Sequence, residues 1–226
     1  MLIVCVLSVI AGLTLSACAT DDPDAQAKTG AVIGSLAGAA ASHKLDDDQA
    51  KLVGVAVGAI AGAMVGSHMD EQQRELEQKL AEEQRRKQVE IARLEDDTLK
   101  LYLQNEVFFD FDSAEIKGAG EPTLSKVAEH LIKYNQTAVH VIGHTDTAGA
   151  SEYNLYLSER RASSVATLLN RQGVPASRIR IEGRGESDPR EPSETDEGRQ
   201  RNRRVEIFVR TIVEGKEDMA YESPRY

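Results

Sequence analysis

The stretch VIGHTDTAGASEYNLYLSERR, residues 141–161, decides how the surrounding chain folds. Ahead of Asp146 lies a short apolar run, Ala138 to Gly143, which predicts a buried strand because Val and Ile dominate it. After Asp146 a helix is expected to begin near Ser151, a residue type favoured as an N-cap. A strand that ends in Asp146 and returns through a helix carrying Arg161 can place both side chains at one edge of a sheet.

The predicted helix combines an apolar face with a neighbouring cation. Leu155, Ala162, Val165 and Leu169 recur at near-helical spacing, which predicts a stripe facing a core. A carboxylate accepts an ammonium group and a guanidinium grips a carboxylate, so Asp146 and Arg161 together suit a zwitterion such as the end of an amino acid. The alternative is that Asp146 only caps its loop. Arg161 would then pair with Glu152 or Glu159 on the helix surface.

Several motifs around this stretch resemble one family. They are GHTD, then YNLYLSERRA, the upstream VFFDFDSAEI, and the downstream SRIRIEGRGESDP and NRRVEIFV. In this order they resemble the OmpA-like peptidoglycan-binding domain, over roughly residues 98–211. In that family an Asp and an Arg hold the diaminopimelate residue of the cell-wall stem peptide. The resemblance therefore implies that Asp146 binds the ammonium group and Arg161 binds the carboxylate.

Four further residues are candidates for the same site. The family also lines its site with the loop after the first strand, which implies Asp112 and Ser113. The alternative for these two is a local turn with Ser113 as a cap. Thr145 is expected to support Asp146 through its hydroxyl. Arg204, in NRRVEIFV, is a candidate at the sheet edge, and its alternative is an exposed charge on a strand.

The pattern over residues 98–211 predicts an α+β domain. The expected strands are 99–103, 138–144, 179–181 and 205–209, and the expected helices start at Pro122 and at residue 152, with a short helix near 196–201. The order is β-α-β-α-β-β, which predicts a mixed sheet with helices on one face. Residues 212–226 are interpreted as a loose polar tail.

The composition excludes some classes of function. Lys and Arg total 27 against 37 Asp and Glu, for a formal net charge of −10. A nucleic-acid partner is therefore not expected, because such binding needs a basic face. Cys5 and Cys18 are the only cysteines in the sequence, so no disulfide is expected to frame the domain.

The N-terminal residues resemble the leader of a bacterial lipoprotein. Residues 1–17 form an apolar signal peptide, and LSAC, ending at Cys18, resembles a lipobox. The resemblance implies cleavage before Cys18, lipidation of its thiol, and transport to the outer membrane, with residues 18–29 as a tether. No Lys or Arg precedes the apolar run, which fits a natural start further upstream. The alternative is an ordinary signal peptide that happens to end near Cys18.

Residues 30–67 predict a glycine-zipper helical hairpin. Small residues recur every four positions: Gly30, Gly34, Gly38 and Ser42, then Gly54, Gly58, Gly62 and Gly66. Glycine on one helix face permits close approach of a second helix. The segment resembles the glycine zippers found ahead of some OmpA-like domains. We keep two interpretations: a hairpin in or on the membrane, or an element through which a second copy of the chain associates.

Residues 69–96 are predicted to form one charged helix. Glu75 and Lys79, Glu82 and Arg86, and Glu83 and Lys87 are favourable pairs four residues apart. Apolar residues are sparse, so the helix is interpreted as a spacer of roughly 40 Å.

These elements together predict a non-enzymatic outer-membrane lipoprotein. Its periplasmic domain would bind peptidoglycan and so tether the membrane to the wall, with no cofactor. The alternative is an envelope assembly or stress factor in which the glycine hairpin carries the function and wall binding only localises it. A metal site is not expected, because His140 and His144 lie about 13 Å apart along one strand and lack a third ligand.

Overall fold

The computed structural model of the protein describes residues 68–225. Helix α1 covers residues 68–79. The other helices are α2 (Ala81–Arg85), α3 (Asn105–Phe108), α4 (Glu121–Lys133), α5 (Ser151–Arg171), α6 (Asp196–Asn202) and α7 (Glu217–Ala220), with a 3-10 turn at Ala176–Arg178. The strands are β1 (Val89–Arg93), β2 (Leu99–Gln104), β3 (Thr137–His144), β4 (Ile179–Gly183) and β5 (Arg204–Thr211).

The sheet has the order β1-β2-β5-β3-β4 within the described part of the chain. Strands β3 and β4 are parallel, and the other neighbours are antiparallel. The predicted α+β fold with a mixed sheet is therefore confirmed. Strand β3 is buried along its whole length, as its apolar sequence indicated. The carboxyl end of β3 lies beside the first residue of β5, because His144 pairs with Arg204.

Helices α4 and α5 cover one face of this sheet. The predicted stripe of α4 is buried, including Leu124, Val127 and Leu131. On α5, Ala162, Val165 and Leu169 are buried. Leu155, expected on the same stripe, is 49% exposed and Leu157 is buried instead. The buried face of α5 begins instead with Asn154, Leu157 and Ser158 and continues through Arg161 and Ala162 at three- and four-residue spacing.

The charged spacer predicted at residues 69–96 is wrong. The helical conformation is interrupted at Leu80 and ends at Arg85, and residues 89–93 form edge strand β1, paired antiparallel with β2. The sparse apolar residues of this segment are the reason, because Met69, Leu76 and Leu80 are fully buried in the domain core. Helix α1 thus lies against the domain rather than lifting it from a surface.

Ion pairs also attach this N-terminal segment to the domain. Arg93 donates to Asp70 at 2.9 Å and to Asp97 at 2.7 Å. Glu83, expected to pair with Lys87, accepts instead from Lys126 of α4 at 2.7 Å. The folded unit therefore includes residues from 68 onward, about thirty residues ahead of the predicted boundary at residue 98.

The tail predicted to be loose is also ordered, over residues 212–225. The ring of His140 lies with Nε2 3.0 Å from the carbonyl oxygen of Ala220, and Arg210 donates to the carbonyl of Glu222 at 3.0 Å. Arg184 donates to the carbonyl of Pro224 at 2.6 Å. These contacts hold the segment against the sheet.

Some predicted elements lie outside the described residues. They are the signal peptide, Cys18 with its tether, and the glycine-zipper hairpin at residues 30–67. Within residues 68–225, every helix is too short or too polar to cross a bilayer.

Candidate functional site

Two glycines place the start of α5 directly over the ends of β3 and β4. A Cβ atom added at Gly143 would lie 2.0 Å from the carbonyl oxygen of Ser158, and one at Gly183 would lie 2.6 Å from the amide nitrogen of Glu159. Only a residue without a side chain allows this approach. Arg161 follows Ser158 by about one helical turn and lies on the same buried face of α5.

Asp146 lies just beyond that strand end and is 8% exposed. Its Oδ1 atom accepts a hydrogen bond from the amide of Ala148 at 3.0 Å, as expected for a residue that caps its loop. Its Oδ2 atom accepts from Nη1 of Arg203 at 2.6 Å. The loop is held further by Asn154, whose side-chain amide donates to the carbonyl of Asp146 at 3.2 Å. Asp146 therefore organises the loop and also faces a cation.

Arg161 is nearly inaccessible, with 3% of its surface exposed. Its Nε atom donates to the carbonyl of Ser113 at 2.8 Å, and its guanidinium carbon lies 5.5 Å from the centre of the Phe109 ring. Nη1 and Nη2 donate no hydrogen bond to residues 68–225. The pairing with Glu152 or Glu159 on the helix surface is therefore not seen.

The electrostatic surroundings of Arg161 contain both signs of charge. Burial lowers the pKa of its guanidinium, the carboxylate of Asp112 raises it, and the positive charge of Arg203 lowers it again. Arg203 therefore contributes to the electrostatic surroundings of Arg161.

Arg203 belongs to this site and was missed by the sequence analysis. Besides Asp146, it donates to Oε1 of Glu106 from Nε at 3.0 Å and from Nη2 at 2.7 Å. Burial lowers the pKa of Arg203, but the hydrogen bonds to Asp146 and Glu106 outweigh burial and raise it. We call Asp146, Arg161 and Arg203 the strand-end site.

Arg204, predicted for this site, has its side chain elsewhere. Its Nε atom donates to Glu206 at 2.7 Å, and its terminal nitrogens donate to the carbonyls of Asn202 and Asp188. Arg203 directly precedes β5 in an extended conformation, and successive extended residues point to opposite sides, so one of the two adjacent arginines reaches Asp146 and the other does not. The two adjacent arginines in NRRVEIFV indicated a site residue, but the sequence pattern alone did not show which of them faces Asp146.

The other predicted residues make mixed contributions. Asp112 is exposed, has a positive φ of 58°, and accepts a hydrogen bond from the hydroxyl of Tyr153. The hydroxyl of Ser113 accepts from the amide of Glu115 at 3.0 Å, as in the local-turn alternative, while the carbonyl of Ser113 holds Arg161. The Thr145 hydroxyl is buried and makes no hydrogen bond to the described residues, so the expected support of Asp146 is absent there.

The strand-end site offers an acceptor for a cation and donors for an anion. Asp146 supplies a carboxylate whose position is fixed by its loop, and Arg161 supplies two unused nitrogens in one plane. A small zwitterion fits this chemistry. Among residues 68–225, no three His, Cys, Asp or Glu side chains are placed to hold a metal ion.

Comparison with known proteins adds family information to this geometry. A model of the OmpA family matches residues 108–203, and a model of the YMGG-like glycine zipper matches residues 1–70. The probable lipoprotein YiaD of Escherichia coli (strain K12) is 42% identical over 180 residues, which cover 80% of this chain and 80% of YiaD.

Two further similarities concern mainly the C-terminal domain. The outer-membrane lipoprotein YfiB of Pseudomonas aeruginosa is 37% identical over 116 residues, which cover 51% of this chain and 69% of YfiB. The solved structure of the cell wall anchor of the T6SS from Pseudomonas aeruginosa is 32% identical with a TM-score of 0.55, over 60% of this chain and 96% of that one.

Proposed function

Because this chain belongs to the OmpA family, we propose that its strand-end site binds the diaminopimelate residue of the peptidoglycan stem peptide. Asp146 accepts the ligand's ammonium group, and the two terminal nitrogens of Arg161 bind its carboxylate. The chain is thereby a peptidoglycan-binding protein of the cell envelope, with an outer-membrane or periplasmic location.

One observation carries the assignment of Arg161. A buried guanidinium loses its hydration, so its donors are expected to find protein partners. In Arg161 only Nε has such a partner among the described residues, and the aromatic ring of Phe109 offers no hydrogen-bond acceptor in the plane of the guanidinium. The two remaining nitrogens are thus available, in fixed positions, for a carboxylate from outside the chain.

We infer binding without catalysis. Holding a stem peptide requires no bond to be made or broken, and the matched family indicates no catalytic activity. The similarity to a structure described as a cell wall anchor supports the same interpretation.

We also propose that a lipid on Cys18 anchors the chain in the outer membrane, so that wall binding tethers the membrane to peptidoglycan. The LSAC motif and two relatives described as lipoproteins support this. Replacing Cys18 by Ser should move the protein out of the outer-membrane fraction. Unchanged fractionation would instead assign the anchor to the glycine zipper, matched by its own family model, which could then also carry an envelope-assembly role or self-association.

Cosedimentation with isolated sacculi tests the strand-end site. The full chain in detergent should sediment with the wall, and Asp146→Ala and Arg161→Ala should each weaken this by at least about tenfold, because charge-assisted hydrogen bonds contribute about 1.5–3 kcal/mol. Arg160→Ala is the matched control, since Arg160 is adjacent, exposed, and stacked on Tyr156. If the two site variants stay folded and bind as the wild type does, the site is wrongly assigned.

A further inference from the structure

Arg203 occupies the position that an incoming ammonium group would need. Its Nη1 atom lies 2.6 Å from Oδ2 of Asp146, while Oδ1 is engaged by the amide of Ala148. We infer that Arg203 is an internal stand-in for the ligand's ammonium group, and that ligand binding transfers Nη1 from Asp146 to the ligand's carboxylate. Arg203 would then be the residue that restricts the site to zwitterions. This inference rests on the proposed function.

The hydrogen bonds of Arg203 allow such an exchange. Two of its nitrogens, Nε and Nη2, bind Oε1 of Glu106 at 3.0 and 2.7 Å. When Nη1 leaves Asp146, the guanidinium can turn about its contact with Glu106 without losing that partner. Asp146 also keeps its orientation, because the amide of Ala148 still binds Oδ1. The exchange therefore breaks one hydrogen bond and moves Nη1, while Arg203 and Asp146 each keep another contact that holds them in the site.

The neighbourhood of Arg161 explains where Nη1 would go. Arg203 binds Glu106 and Arg161 lies against the ring of Phe109, three residues further along the chain, so both guanidinium groups lie beside the same short segment. The positive charge of Arg203 also contributes to lowering the pKa of Arg161. A carboxylate placed between them would receive donors from both and relieve their repulsion. A ligand with an ammonium group but no carboxylate would displace Nη1 of Arg203 from Asp146. It would provide no anion in exchange for the two arginines. A ligand that carries only an ammonium group is therefore expected to bind Asp146 less well than a zwitterion.

Two synthetic stem peptides that differ only in carrying diaminopimelate or lysine provide the test. Their affinities for the full chain in detergent can be measured by calorimetry. The wild type should prefer the diaminopimelate peptide. In Arg203→Gln, Asp146 is open to any ammonium group while the carboxylate loses one donor, so the preference should fall by about tenfold or more.

The control is Arg201→Gln, which removes the same charge two residues earlier in the chain, within α6. Arg201 is 60% exposed and pairs with Glu191, so this variant should keep the wild-type preference. A uniform loss of affinity for both peptides in Arg203→Gln would show that Arg203 only supports the fold, and an unchanged preference would also overturn the exchange. If the wild type binds neither peptide, the proposed function itself fails.

A measurement on the wild type covers the case in which Arg203→Gln does not fold. With arginine side chains labelled for NMR, the diaminopimelate peptide should shift the guanidinium resonances of Arg203, because Nη1 changes its partner. The lysine peptide at the same concentration should shift them much less. Resonances of Arg203 that stay in place when the site is saturated with diaminopimelate peptide would overturn the inference.

Discussion

The two adjacent arginines Arg203 and Arg204 enter charged clusters of different kinds. Arg203 enters the strand-end site, where Arg161 keeps two nitrogens without a partner in the described chain. Arg204 enters a cluster with Lys100, His144 and Glu206, which we call the buried ion cluster, on the sheet face opposite α4 and α5. Both clusters contain a carboxylate and guanidinium groups, so residue type does not distinguish them.

The buried ion cluster is internally paired. The carboxylate of Glu206 is fully buried, 2.7 Å from Nε of Arg204, 3.1 Å from Nζ of Lys100 and 3.5 Å from Nε2 of His144. Burial by itself would raise the pKa of Glu206, but the His144 ring and the charges of Arg204 and Lys100 outweigh it and hold the pKa well below its usual range. The two nitrogens of the His144 ring make no hydrogen bond to the described residues, so the pairing in this cluster is chiefly that of Glu206 with Arg204 and Lys100.

The difference shows what separates a binding site from a structural ion pair. In the buried ion cluster the carboxylate of Glu206 has cations on both oxygens, and Glu206, Arg204 and Lys100 are all buried. In the strand-end site the donors of Arg161 exceed the acceptors that the chain supplies. The proposed binding site therefore rests on the unused donors of a charged group, Arg161, and not on the presence of charge alone.

The largest effect on stability is expected from a substitution that breaks the buried ion cluster. Glu206→Gln leaves the ammonium of Lys100 and the guanidinium of Arg204 buried without their anion, which should lower the free energy of unfolding by about 3–5 kcal/mol. Chemical denaturation of the full chain measures this. Glu191→Gln, at a partly exposed carboxylate, is the control and should change stability little. A loss below about 1 kcal/mol in Glu206→Gln would mean that the cluster does not contribute as argued.

The same variant gives a pH test with a defined sign. The pKa of Glu206 is depressed in the folded state, so its contribution is complete above the ordinary value of 4.5 and is lost as the pH falls below it. The stability difference between wild type and Glu206→Gln should therefore shrink as the pH is lowered from 4.5. A difference that stays constant over this range would contradict the assigned pKa shift.

The sequence was sufficient for the part of the fold that depends on local patterns. The apolar run of β3, the GHTD turn and the length of α5 predicted where Asp146 and Arg161 lie, because strand and helix periods are visible within a few residues. Edge strand β1 could not be predicted this way. Its few apolar residues pack on the core, and only the pairing with β2 shows that Val89 and Ile91 belong to a strand.

Long-range contacts explain the remaining errors. Whether Arg203 or Arg204 faces Asp146 depends on the register of β5 against β3, which joins residues sixty positions apart. The order of residues 212–225 depends on a carbonyl that meets His140 and on others that meet Arg210 and Arg184. Polar segments of this kind resemble loose tails until their partners are known.

A smaller effect is expected from a substitution that keeps the positive charge of Arg161 but changes the geometry of its donors. Arg161→Lys retains one positive charge but cannot hold the carbonyl of Ser113 and present two nitrogens together. Sacculus binding should fall by about tenfold, and walls that carry lysine in place of diaminopimelate should distinguish wild type from variant much less. Arg160→Lys is the matched control. Wild-type binding by Arg161→Lys would mean that charge alone is sufficient, as in an ordinary ion pair.

The smallest effect on wall binding is expected at Asp112. This residue shares features with both a structural ion pair and a ligand-binding group. Its carboxylate raises the pKa of Arg161 but is exposed and already accepts from Tyr153. Asn tolerates the positive φ at this position, so Asp112→Asn removes the charge without straining the turn. Exposed charge pairs contribute about 0.2–1 kcal/mol, so wall binding should fall by about fivefold at most.

Salt and a second variant separate the two roles that Asp112 can have. If its charge acts on Arg161 through solvent, the difference between wild type and Asp112→Asn should vanish at high salt, because screening removes such interactions. Tyr153→Phe, which removes only the hydrogen bond to Asp112, should then bind the wall much as the wild type does. A loss beyond about tenfold in Asp112→Asn that persists at high salt would instead place its carboxylate in direct contact with the ligand. The strand-end site would then hold the ligand's ammonium group between two carboxylates rather than at Asp146 alone.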